Sequence, residues 1–159
     1  MGEYEYNFKV DSIKPYIKYC EENNYKGKVI KQKRIVYENV DNNKIVARIT
    51  TNTEDDKRET ILDFKNVKEN NELLKVSNES LPIIVDKSNK KQIESMLETI
   101  NFKEVSSLYR TRYVYTKDDV TFEIDDYVAP KMKVVAIEGI KEKVDMIFAE
   151  MENIKNGKN

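Results

Sequence analysis

Over most of this chain apolar and polar residues alternate with a period of two, and three stretches with a period near 3.6 interrupt the alternation. The opening stretch "EYEYNFKV" sets the pattern: Glu3, Glu5, Asn7 and Lys9 share one face of a strand, and Tyr4, Tyr6, Phe8 and Val10 share the other. In "TILDFK" Leu62 and Phe64 oppose Asp63 and Lys65; in "VTFEID" Val120, Phe122 and Ile124 oppose Thr121, Glu123 and Asp125; in "KIVARI" Ile45, Ala47 and Ile49 oppose Arg48. Strands are expected over 3–10, 28–38, 44–51, 59–66, 106–117, 120–127 and 132–139, separated by the turn-forming stretches "NVDNN", "KDD" and "VAPKM". The helical period appears as Ile13, Tyr16, Ile17 and Cys20, as Ile93, Met96, Leu97 and Ile100, and as Val144, Ile147, Phe148 and Met151. Each marks an amphipathic helix with one apolar stripe. Ser12 and Ser88 are the expected N-caps of the first two, Pro15 is tolerated because it falls in the first turn, and "NNELLKVS" at 70–77 reads as a shorter helix.

The order of elements repeats. A helix over 12–24, "NYK", a strand containing "RIVY" and a second strand "KIVARI" correspond to a helix over 89–101, "NFK", a strand containing "RYVY" and a second strand "VTFEID". The repeat spacing is about 77 residues, with a residue of slippage at counterparts such as Arg34 and Arg112 or Tyr37 and Tyr115. Two related halves suggest one sheet that closes on itself. The helices can cover its apolar face from outside, so the polar faces turn inward and bring together Glu3, Glu5, Lys9, Arg48, Lys65, Arg110, Arg112, Glu123, Asp125 and Glu138. The expected architecture is α+β: an antiparallel β-barrel with a charged bore and helices packed on the outside, in a single domain over 1–155.

Composition narrows the chemistry. With 28 basic and 29 acidic residues in 159, there is no global field to draw the chain to nucleic acid or a membrane, so any electrostatic function is local. Histidine is absent, which excludes histidine bases, histidine metal ligands and Ser-His or Cys-His nucleophile systems. A single cysteine, Cys20, excludes an internal disulfide; with no basic-then-apolar leader and no apolar run longer than "LPIIV", a cytoplasmic protein is expected. A charged bore is costly when dry and makes sense around a ligand: arginine and lysine suit a polyanion with several phosphoryl groups, and carboxylates suit a hard divalent cation.

The ordered motifs resemble those of the CYTH domains, or triphosphate tunnel metalloenzymes, which include class IV adenylyl cyclases and thiamine or inorganic triphosphatases. The family's ExExK strand is matched by Glu3-Tyr4-Glu5-Tyr6-Asn7, its RxR strand by Arg48-Ile49-Thr50, and its strand ending in lysine by "LDFK" with Lys65. Its KxR strand is matched by Arg110-Thr111-Arg112, its acidic strand by "FEID" with Asp125, and its closing ExE strand by Ala136-Ile137-Glu138. The resemblance implies that Glu3, Glu5, Asp125 and Glu138 hold Mg2+ or Mn2+, and that Arg48, Lys65, Arg110 and Arg112 hold a triphosphate. Three departures each remove a charge: Asn7 for lysine, Thr50 for arginine and Ala136 for glutamate. Lys9 lies on the face of Asn7 and is placed with the substrate-binding set; nothing in the sequence replaces the carboxylate at 136. The stretch "KQKRIVYEN" also lacks an acidic residue common in the family. The function implied is a metal-dependent phosphohydrolase acting on a triphosphate-bearing small molecule, in a monomer or homodimer. A class IV-type cyclase and a non-catalytic polyphosphate- or nucleotide-binding module are the alternatives.

Overall fold

The computed structural model describes residues 2–70 and 73–155, without the side chains of Glu3, Glu69, Asn70 and Lys155. Its strands are β1 (Gly2–Lys9), β2 (Lys26–Asn39), β3 (Ile45–Glu54), β4 (Lys57–Asn70), β5 (Leu74–Glu79), β6 (Ile83–Ile84), β7 (Phe102–Lys117), β8 (Val120–Ala129) and β9 (Met132–Gly139); its helices are α1 (Lys14–Glu22), α2 (Lys90–Thr99) and α3 (Lys141–Lys155). The sheet runs β3-β2-β7-β8-β9-β1-β5-β4, and β4 pairs back onto β3. Every pairing is antiparallel. The result is a closed barrel of eight strands, with two-residue β6 laid beside β4 at Ile61 and Leu62.

Closure follows from the alternation. Phe122, Ile124, Val135 and Ile137 point out of β8 and β9, where Ile13 just before α1, Tyr16 and Cys20 of α1 and Val144 and Met151 of α3 cover them. On the other side Ala47 and Leu62 are covered by Val85 and by Ile93 and Leu97 of α2. The core therefore forms two outer layers, and the barrel interior is left to polar residues. Burial pushes the Cys20 thiol up to about 12, which makes it an inert part of the first layer. Among the described residues no helix is long and apolar enough to cross a membrane.

The repeat is visible in detail. The two halves meet where β2 pairs with β7 along nearly their whole length, and α1 and α2 each end on an asparagine in the left-handed region, Asn24 (φ 65°) and Asn101 (φ 63°). Pro15 falls in the first turn of α1, as expected. The capping residues differ from expectation: the N-cap positions are Ile13 and Asn89, while Ser12 Oγ accepts only from the Lys14 N–H at 3.3 Å and Ser88 donates to Asp86.

The larger correction concerns 70–77. The described part of that segment is not helical: Asn70 ends β4, and Leu74 onward belongs to β5, which pairs with β1 on one side and β4 on the other. "LKVSNE" alternates with period two, and without this strand β1 and β4 would each carry an unpaired edge. Barrel closure overrides the helical propensity of its leucines and lysine.

Candidate functional site

A cavity of about 760 Å³ runs inside the barrel. Its wall is assembled from cross-strand pairs, so strand register dictates which charges meet.

On the β7–β8 side, Arg112 stands directly opposite Asp125. Its Nε and Nη2 donate to the two Asp125 oxygens at 2.8 and 3.0 Å, and its Nη1 donates to Glu123 at 2.9 Å. Burial works against the Arg112 charge, but Glu123 and Asp125 more than offset it and raise its pKa above the usual arginine value. Arg110, one inward position along, donates from Nε to Gln32 Oε1 at 2.6 Å and from Nη1 to the Tyr127 hydroxyl. Its Nη2 is buried without a partner. Burial and the Arg112 charge lower its pKa.

On the β3–β4–β5 side the same logic recurs. Arg48 faces Asp63 across β3–β4 and donates to it from Nε at 2.9 Å and from Nη2 at 2.5 Å; Nη2 also reaches Glu79 at 2.9 Å. Burial opposes the Arg48 charge, and the hydrogen bonds and charges of Asp63 and Glu79 together outweigh it. Lys65 lies across from Glu79, Nζ to carboxylate 3.8 Å. Between these two walls β2 contributes Arg34, whose Nε donates to Thr50 Oγ1 at 2.9 Å.

The third feature is acidic. One oxygen each from Glu5, Glu123 and Glu138 lies within 4.8 Å of the others. Glu5 and Glu138 are register partners on β1 and β9, and Asn7 donates to Glu5 at 2.9 Å. Glu123 stands opposite Ala136. Burial would raise the Glu123 pKa, but the Arg112 and Arg34 charges and a hydrogen bond with Glu138 hold it below the usual carboxylate value. Three carboxylates converging on one point, unmixed with sulfur or nitrogen donors, are a donor set for a hard divalent cation.

Of the candidate residues, Glu5, Lys9, Arg48, Lys65, Arg110, Arg112, Asp125 and Glu138 all line the cavity. The Glu3 side chain lies outside the described residues; its backbone pairs with Ser77. Asp125 is brought to the guanidiniums of Arg112 and Arg110 rather than to the carboxylate cluster, and Glu123 occupies the place beside Glu5 and Glu138. Glu123 stands on the neighbouring strand directly opposite Ala136, the position without a carboxylate. Arg34, Asp63, Lys75 and Glu79 are absent from the inward-facing set expected from the sequence, and Glu123, which is in that set, is absent from the expected metal-holding residues. Arg34 could have been found as the repeat counterpart of Arg112, and Asp63 from its shared face with Lys65. Lys75 and Glu79 have no such signal, because the leucines and lysine of their short segment fit a helix as well as a strand.

No protein-family model matches the chain, and no curated protein does. Solved structures do. PH1012 from Pyrococcus horikoshii is similar over 99% of this chain and 91% of its own, at 18% identity and a TM-score of 0.74. HpAC1 from Hippeastrum, assigned as an adenylyl cyclase and showing a dominant triphosphatase activity, is similar over 97% of this chain and 88% of its own, at 13% identity and a TM-score of 0.64. The Schizosaccharomyces pombe Mediator head module contains a chain similar over 99% of this one and 96% of its own, at 8% identity and a TM-score of 0.64. At such identities the likeness is one of fold, and it runs the length of the chain: this protein has the triphosphate-tunnel fold of the CYTH-type adenylyl cyclases and triphosphatases.

Proposed function

We propose that this protein is a metal-dependent phosphohydrolase that takes the triphosphate of a small molecule into its bore. The observation that carries the reading is the opposition, inside one closed barrel, of a three-carboxylate cluster to a row of guanidiniums. The triphosphatase activity of HpAC1, which shares the fold, supports it.

Glu5, Glu123 and Glu138 would hold Mg2+ or Mn2+, which when bound supplies polarisation of a phosphoryl oxygen and a water of lowered pKa. Asn7 fixes the Glu5 carboxylate, and Arg112 fixes that of Glu123. The buried Nη2 of Arg110 offers a donor to a phosphoryl oxygen, and Arg48 and Lys65 add positive potential along the facing wall. The closed wall limits water around these groups, which strengthens each charge interaction.

The same pocket could serve a cyclase, the activity first assigned to HpAC1, or a module that only binds. The deciding assay measures phosphate released from tripolyphosphate, ATP and thiamine triphosphate, with Mg2+ or Mn2+ and with excess chelator, beside cyclic AMP formation. Phosphate release that requires metal and disappears in Glu138→Gln is expected. Turnover undiminished by chelator defeats the metal-dependent reading. Cyclic AMP as the main product from ATP selects the cyclase, and binding without turnover selects the module.

A further inference from the structure

The bore holds four arginines, and three of them are fastened to carboxylates: Arg48 to Asp63 and Glu79, Arg112 to Asp125 and Glu123, and Arg110 to Asp125 at 3.5 Å. Arg34 is different. Its protein hydrogen bond is to a neutral hydroxyl, that of Thr50, and no carboxylate among the described residues comes within ion-pairing distance of it. Thr50 is the residue opposite Arg34 in the β2–β3 register and is 1% exposed. The contact therefore aims the guanidinium without neutralising it.

A cation in that position is under electrostatic stress. Burial, together with Arg48 on β3 and Arg110 and Arg112 on β7, pulls its pKa down to about 9, opposed by Glu123 on β8. It remains charged at neutral pH. One inward position along β2, Gln32 is paired with Arg110, whose Nη2 is the buried donor without a partner. Two observations of different kind thus meet on one wall: a half-buried guanidinium with no carboxylate in ion-pair contact among the described residues, and an unsatisfied buried N–H donor. Either is costly in a protein interior unless an anion completes it.

Resting on the proposed function for its ligand class, we infer that Arg34, aimed by Thr50 and joined by Nη2 of Arg110, is the principal anchor for a phosphoryl group in this bore. Arg48 and Arg112 keep their carboxylates and act mainly by shaping the field, whereas Arg34 has its charge to give. Thr50, which stands where the related motif carries a second arginine, is then not a lost cation: the charge comes from the strand beside it.

The inference predicts a trade of stability against affinity. Titration calorimetry with inorganic tripolyphosphate, on the full chain without metal, should show Arg34→Gln binding at least about tenfold more weakly, a loss in the range of one charge-assisted hydrogen bond. Arg34→Lys should recover part of it, Thr50→Val should lose less than Arg34→Gln, and Lys18→Gln, an exposed cation of the outer helix α1, should change nothing. The ligand-free melting temperature of Arg34→Gln should equal or exceed that of the wild type, because a cation crowded by Arg48, Arg110 and Arg112 is gone. If Arg34 serves only the fold, that temperature falls and affinity holds, which overturns the inference. Unchanged affinity in Arg34→Gln also overturns it while leaving the proposed function standing, provided the wild type binds tripolyphosphate. A wild type that binds none with or without Mg2+ removes both.

Discussion

At the scale of single residues, the bore separates carboxylates that the sequence could not tell apart. Asp125 and Glu138 lie on inward faces of adjacent strands, yet Asp125 is 2% exposed and gripped by two arginines, while Glu138 sits with Glu5 and Glu123. Removing one partner of a buried ion pair strands the other charge. Asp125→Asn should therefore destabilise the fold by about 3–5 kcal/mol in urea unfolding, whatever the metal. Glu138→Gln relieves crowding among three carboxylates, so it should leave stability equal or higher in chelator and abolish metal binding measured in the presence of tripolyphosphate. Equal destabilisation by the two substitutions would contradict this division. The division was not legible in the sequence, because parity assigns a face but not a partner. Register does that, and a shift of two residues would have set Arg112 against Glu123 or Tyr127 instead of Asp125.

At the scale of elements, alternation was enough wherever both faces of a strand had strong and opposite character. β1, β3, β8 and β9 and the three helices follow from it because each apolar stripe needed cover. β5 failed the same reading: its inward residues, Lys75, Ser77 and Glu79, alternate with Leu74 and Val76 over too few residues to exclude a helix. Only the open edges of β1 and β4 demand a strand there. One backbone position joins an element's end to the site. Gly139 closes β9 at φ +149°, and a Cβ there would meet the Asp119 carbonyl oxygen at 2.3 Å. Gly139→Ala should cost at least the order of 1–3 kcal/mol expected for such a backbone conformation, with the clash added. The adjoining residue is Glu138, so the displacement should also weaken metal binding; loss of stability without any effect on metal would show that β9 absorbs the change at its end.

At the scale of the whole molecule, the apolar core lies outside the barrel and the charges lie inside, so stability and ligand capacity reside on opposite faces of the same strands. Closure links them: every barrel strand is paired on both sides, and a ligand that ties β1, β2, β7, β8 and β9 together across the bore ties the sheet that the helices cover. A ligand binding only the folded state raises stability by about 2.7 kcal/mol at 100 times its dissociation constant. For a domain near this length, each kcal/mol moves the melting temperature by roughly 2–4 °C, so tripolyphosphate with Mg2+ should raise it by about 5–11 °C. The two should also act together. Mg2+ alone faces a cluster that can offer three carboxylates and prefers to keep its waters, and tripolyphosphate alone meets the repulsion of Glu5, Glu123 and Glu138. Each removes the obstacle to the other, so the joint shift should exceed the sum of the separate shifts, which is the signature of positive coupling. Glu138→Gln should reduce the joint shift to that of tripolyphosphate alone. Strictly additive shifts in the wild type would mean that metal and anion do not meet in the bore, and the carboxylate cluster would then have to be assigned some other role.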